Sequence, residues 1–211
     1  MKVIGVSGNP VRNGTVDKLV QLIMDKLDYN DKELISLYNM DIKHCKACLG
    51  CVKTNHCIQN DDWTLIEDKI KQADLMVLGV PTFYGGAFGI NALTHNFLER
   101  WFALRHRGLK TNITKVILAI VSGENHGEVA VGNLTTFFNA YHNIEVVDSI
   151  VARCTTPCYK CGFGEECPIS AVVHRYGQGV KIAEEMLPSL ENQTDVMKKI
   201  SNVSNKVICN P

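Results

Sequence analysis

The chain has 211 residues, 45% hydrophobic and 21% charged, with 22 Lys and Arg against 22 Asp and Glu. That length suits one domain with a full core, since ~150 to 200 residues usually form one unit. A net charge of zero gives no general pull toward nucleic acid or an anionic membrane, so neither is expected as a partner. No apolar run reaches the ~18 residues of a membrane-spanning helix. The opening Met-Lys-Val-Ile-Gly-Val-Ser-Gly has too short an apolar stretch for a signal peptide. A cytoplasmic protein is expected.

Residues 2 to 6 read as a short buried strand. Residues 15 to 28 place Leu19, Val20, Ile23, Met24 and Leu27 on one helical face, with Thr15 as the cap. A second strand follows at 34 to 37. A helix from Asp61 or Asp62 to about Gln72 turns Leu65, Ile66 and Ile70 inward. Residues 75 to 80 are apolar on both faces, as in a parallel sheet. A Pro- and Gly-rich loop leads to a helix over 90 to 106 containing Leu93, Phe97, Leu98, Trp101 and Leu104. A strand at 116 to 121, a helix at 128 to 142 and a strand at 144 to 151 come next. A long helix over 170 to 187, carrying Val173, Tyr176, Val180, Ala183 and Leu187, closes the domain. The polar tail 188–211 has one short helix near 196 to 203. Strand and helix alternate five times, which predicts a doubly wound α/β parallel sheet, one domain over 1–187, with Cys-rich insertions at 41–60 and 153–168.

Ligands of such sheets bind beyond the carboxyl ends of the strands, where strand order reverses. The loop Ser7-Gly8-Asn9-Pro10-Val11-Arg12-Asn13-Gly14-Thr15 offers backbone N–H groups, neutral hydrogen-bonding side chains, one positive charge and a helix N-terminus. That chemistry suits a terminal phosphate, although an ordinary capped turn would look similar. It is neither a P-loop nor a G-x-G-x-x-G fingerprint. Pro81-Thr82-Phe83-Tyr84-Gly85-Gly86 and Ser122-Gly123-Glu124-Asn125-His126-Gly127 follow the two central strands. Both can approach a flat ring closely.

Eight of the nine cysteines form two groups, and Cys209 stands alone as a free thiol. Cys45-x2-Cys48-x2-Cys51-x5-Cys57 lets consecutive thiolates converge on one centre, and four soft thiolates suit an iron–sulfur cluster or zinc. Zinc sites more often use two separated Cys-x2-Cys pairs, so the cluster leads. Cys154-x3-Cys158-x2-Cys161-x5-Cys167-Pro168 is looser. A second cluster, zinc and a disulfide all remain open there. His44 and His56 read as exposed loop residues beside the first group, and His95 as structural.

The three loops resemble those of the NADPH-dependent FMN reductase branch of flavodoxin-like proteins, over roughly residues 1 to 187. The first loop departs from the usual Gly-Ser-Pro-Arg wording at Gly8-Asn9-Pro10-Val11. The first cysteine group, inserted after the second strand, resembles the iron–sulfur flavoprotein family. That resemblance implies a flavodoxin-like strand order of 2-1-3-4-5. It implies FMN held by Ser7, Asn9, Arg12, Asn13, Gly14 and Thr15 at its phosphate, with Pro81, Thr82, Phe83, Tyr84, Gly85, Ser122, Gly123 and Glu124 at its ring. It further implies a [4Fe-4S] cluster on Cys45, Cys48, Cys51 and Cys57, and a homodimer or dimer of dimers.

The expected function is therefore electron transfer between cluster, FMN and a small acceptor or ferredoxin, with NAD(P)H or ferredoxin as donor. Strand order would put the two cysteine groups about 15 to 20 Å apart, with FMN between them. Two rivals stand beside it. One is an NAD(P)H-dependent FMN or quinone reductase with structural zinc, and the other is a redox-sensing module without enzymatic activity.

Overall fold

The computed structural model describes residues 1–84, 88–123 and 127–208. Gly85, Gly86, Glu124, Asn125, His126 and Cys209 lie outside the described residues. Six strands, β1 (Lys2–Ser7), β2 (Asp31–Ser36), β3 (Leu75–Phe83), β4 (Gly89–Ile90), β5 (Lys115–Ser122) and β6 (Glu145–Arg153), form the sheet. Five pair in parallel in the order β2-β1-β3-β5-β6, which is the expected 2-1-3-4-5. The addition is β4, a two-residue antiparallel strand pairing Ile90 with Thr82 and Gly89 with Phe83. Too short to carry a period-2 pattern, it left no signal in the sequence.

The helices are α1 (Thr15–Lys26), α2 (Trp63–Gln72), α3 (Ala92–Arg100), α4 (Gly127–Thr136), α5 (Ala171–Tyr176), α6 (Thr194–Ser201) and α7 (Val203–Ile208). None of the described helices is long and apolar enough to cross a membrane. One face of the sheet is covered by a cluster that includes Trp63, Ile66, Ile70, Phe97, Trp101, Leu134 and Phe138. The other is covered by Leu19, Val20, Ile23 and Met24 of α1 with Val196, Ile200, Val203 and Val207 of the last two helices. Central strand residues such as Val77, Leu78, Ile117 and Leu118 are fully buried, because helices lie on both sides.

The expected helix over 170 to 187 is corrected. It stops at Tyr176, where Gly177 takes a φ of 94° and Gly179 a φ of 80°. Glycine in that region ends a helix without the Cβ penalty that other residues meet. The cover it was expected to give comes instead from α6 and α7, two helices in place of the single one expected near 196 to 203. Two smaller corrections concern caps and faces. Gly14, not Thr15, is the α1 cap residue, and the Asp17 carboxylate accepts its N–H at 3.0 Å. Leu65 is 64% exposed, while Trp63 and Glu67 share the buried face with Ile66 and Ile70.

Candidate functional site

The parallel register brings the carboxyl ends of the central strands level: Ser7 pairs with Gly79, Pro81 with Val121 and Ser122 with Arg153. Strand order reverses between β1 and β3, and the loops that follow them flank that crevice. A cavity of about 660 Å³ opens there. Asn9, Gly14, Thr15, Pro81, Thr82, Phe83, Tyr84, Ser122 and Gly123 of the expected ring and phosphate residues line it. Ser7 is buried behind the loop, its Oγ accepting the Asn9 N–H at 3.4 Å. Arg12 and Asn13 are exposed on its outer side.

The first loop is held from beneath. Asn91 Nδ2 donates to the Gly8 carbonyl at 2.8 Å, and Asn9 Nδ2 donates to Asp17 at 3.2 Å. A Cβ on Gly8 would stand 1.9 Å from Thr94 Oγ1, and one on Gly14 would stand 2.2 Å from Asn9 Nδ2. A side chain at either position would have to displace the Thr94 hydroxyl or the Asn9 amide. Across the cavity, Thr82 Oγ1 donates to Ser122 Oγ at 3.0 Å and ties β3 to β5. Thr156 also lines the cavity. The aromatic rings of Phe83 and Tyr84 are exposed at the rim.

Cys154 joins this wall together with Thr155, Pro157 and Lys160, which the sequence did not reveal as part of the same site. Burial pushes its thiol pKa up. The remaining members of that group sit in the loop that follows. Cys158 Sγ accepts the Ala171 N–H at 3.4 Å, which with hydrogen bonds from Ser170 and Thr156 outweighs burial and pulls its pKa down. Cys161 Sγ accepts the Phe163 N–H at 3.4 Å. Cys167 accepts the Ser170 N–H through its carbonyl at 2.9 Å.

The first cysteine group lies on the loop between β2 and α2. Cys45, Cys48, Cys51 and Cys57 line one narrow pocket of about 10 Å³ with Arg100 and Phe102. No three of the described His, Cys, Asp or Glu side chains are placed to hold a single metal ion. The loop is strapped down at several points. Glu99 accepts the Cys45 N–H at 2.9 Å, and Glu67 accepts the Cys57 N–H at 3.4 Å. Asp61 accepts the Lys43 N–H at 3.1 Å and the Trp63 N–H at 3.2 Å, and so joins the loop to the first residue of α2. Ala47, Leu49 and Asn55 all hold φ between 51° and 59°. Such backbone costs about 1 to 3 kcal/mol per residue and persists where the surroundings impose it, commonly at functional loops. Asn13 and Tyr84, in the first two cavity loops, share it.

Two neighbours of the thiols escaped the sequence. His106 Nε2 stands 3.0 Å from Cys51 Sγ, although the residues are 55 apart in the chain. Arg100 is fully buried. It had a signal: the spacing Phe97, Arg100, Trp101, Leu104 sets a charge on the apolar face of α3. His44 and His56 are exposed as expected, whereas His95 is exposed and not packed into the core.

A doubly wound parallel sheet with a glycine-lined cavity at its switch point defines a flavodoxin-like protein. A family model for NADPH-dependent FMN reductases matches residues 1–156. An iron–sulfur flavoprotein of Methanocaldococcus jannaschii is 30% identical over 71% of this chain and 77% of its own length. One from Archaeoglobus fulgidus is 34% identical, over 47% of this chain, and the match spans about half of that relative, 48%. In fold, the chain resembles an NAD(P)H:quinone oxidoreductase from Methanothermobacter marburgensis, with a TM-score of 0.58, 12% identity and coverage of 97% and 96% of the two chains. The chain belongs to the NADPH-dependent FMN reductase family and, within it, to the iron–sulfur flavoproteins. It is an FMN-dependent oxidoreductase.

Proposed function

We propose that this protein passes electrons between FMN, held in the cavity at the strand ends, and a [4Fe-4S] cluster held by Cys45, Cys48, Cys51 and Cys57, and delivers them to a small acceptor or to ferredoxin. The observation that carries the reading is the pocket that gathers these four thiols around a buried guanidinium. Four soft thiolates are the donor set of a cluster. The pocket as it stands has room for about one water, so loading a cluster spreads the loop.

FMN supplies one- or two-electron exchange and the cluster one-electron exchange. The chain supplies the rest. Gly8, Gly14, Asn9 and Thr15 present the phosphate cradle, and Pro81 to Tyr84 with Ser122 and Gly123 present the ring wall. Phe83 and Tyr84 limit access of water from the rim. NAD(P)H or ferredoxin is the proposed donor. A homodimer is proposed because Leu49 beside the thiols, Phe88, Phe102 and Tyr141 are exposed apolar side chains that a second copy would cover. A cytoplasmic location agrees with the eight described cysteines, all free thiols.

Anaerobic purification followed by a visible spectrum and iron, zinc and flavin analysis tests the reading. A broad band near ~400 nm with one FMN and about four irons per chain is expected. About eight irons would put a second cluster on Cys154, Cys158, Cys161 and Cys167, and about four irons with one zinc would make that group a zinc site. FMN with zinc and no iron would replace the proposal by a plain FMN or quinone reductase. Metal without flavin would leave a redox-sensing module.

A further inference from the structure

Arg100 carries a charge where there is no solvent. Its side chain and that of Asp61 both have 0% exposure, and Nη1 donates to Asp61 Oδ2 at 2.5 Å. The same nitrogen donates to the Lys43 carbonyl at 3.1 Å. Nε and Nη2 are buried and meet no oxygen or nitrogen partner in the protein. The further side-chain hydrogen bond of the guanidinium is with Cys57, one of the four thiols. An ion pair that only fastened the cysteine loop to α3 would be complete through Nη1. The guanidinium instead also lines the pocket of the four thiols. A guanidinium keeps its proton in proteins even when buried, so Arg100 is cationic.

We propose that Arg100 is the fixed positive charge of the thiol pocket, with Nε and Nη2 facing the sulfur ligands, and that it raises the reduction potential of the iron–sulfur group bound there. This rests on the cluster reading above. Reduction adds one electron, supplied by the donor, and no proton. The cluster therefore gains one unit of negative charge. A buried cation stabilises that reduced form more than the oxidised one, and salt screens the interaction little at a buried site. Hydrogen bonds to the sulfurs act in the same direction. Asp61 offsets part of the effect, so the two residues should move the potential in opposite directions.

The test is an anaerobic redox titration of the loaded protein, followed by its visible and paramagnetic signals, for Arg100→Gln, Arg100→Lys and Asp61→Asn. At the potential where the unaltered protein is half reduced, Arg100→Gln should lower the reduced-to-oxidised ratio at least tenfold, which is about 59 mV for a one-electron couple. Asp61→Asn should raise the ratio, and Arg100→Lys should change it less than Arg100→Gln. A purely structural pair would give no shift, or shifts of the same sign in Arg100→Gln and Asp61→Asn, and either result overturns the proposal while leaving the cluster in place. Where Arg100→Gln loses its iron, Arg100→Lys decides: iron retained with a ratio near the unaltered one supports the charge assignment, and iron lost there too overturns it. Unaltered protein without iron overturns the cluster reading and this inference with it.

Discussion

His142 shows how one buried side chain ties stability to pH. It follows the irregular turn at the end of α4, packed 5.3 Å from the Trp101 ring and 4.6 Å from the Phe137 ring. It is almost fully buried, and Nδ1 has no partner. Burial, helped by the positive charge of Arg105, lowers its pKa to about 4. The unfolded chain takes up that proton near ~6.5. Above ~6.5 neither state is protonated and nothing is lost. As pH falls from there to about 4 only the unfolded state gains the proton, so stability declines, at about 1.4 kcal/mol per pH unit and roughly 3 kcal/mol in all. Urea unfolding at successive pH values should show this slope in the unaltered protein and a flatter profile in His142→Phe. An equal slope in both would assign it to other groups. Burial pushes the Asp61 carboxyl up, but the Arg100 hydrogen bond and charge together with the Lys43 and Trp63 N–H groups outweigh it and hold the carboxyl below the usual range, so Asp61 contributes only at lower pH. A residue that breaks a pattern leaves a signal at this scale, as Arg100 does on the apolar face of α3, though the sequence reading passed over it. No such signal marks His106, which meets Cys51 only through the fold.

The elements divide in the same way. The central strands β1, β3 and β5 announce themselves by runs apolar on both faces, and α1 by its i, i+3, i+4 stripe, because burial on two sides or on one leaves different periods, while the edge strands β2 and β6 carry polar residues. The faces of α2 were harder. Leu65 was expected inside, but Glu67 takes the inner place, where it accepts the Cys57 N–H and pairs with Lys71 at 3.1 Å. Hydrophobicity alone cannot foresee a carboxylate buried to hold a loop. On the second face of the sheet α1 lies where it was expected, while α6 and α7 supply the cover expected from residues 170 to 187. Gln193 fixes the start of α6 against β6, accepting the Arg153 N–H at 2.8 Å and donating to its carbonyl at 3.0 Å. Ile200, fully buried between α1 and β6, should therefore cost about 2 to 5 kcal/mol when changed to Ala. Leu65→Ala should stay within about 0.5 kcal/mol. Chemical denaturation of both variants checks the contrast, and a large loss at Leu65 would restore the expected face.

At the scale of the whole molecule, fold and redox chemistry are built from different residues. Both hydrophobic clusters consist of aliphatic and aromatic side chains, with Cys57 and Cys154 only packed against their margins. The two cysteine groups follow β2 and β6, the opposite edge strands of the sheet, and the cavity proposed for FMN lies at the switch point between β1 and β3. The sheet can then form before any thiolate is liganded, and the thiol loops need only reach outward from a finished scaffold. This separates the protein from small metal-dependent domains, in which binding energy is folding energy. Stripping iron with an oxidant and chelator should bleach the visible band and leave the far-ultraviolet dichroism and a cooperative unfolding transition in place. Proteolytic nicking should then concentrate in residues 41–60, where the loop would lose the proposed cluster and keep its straps, among them those to Glu67, Glu99 and Asp61. Collapse of the dichroism together with the colour would show the opposite, that the thiol pocket holds the core and not the core the pocket.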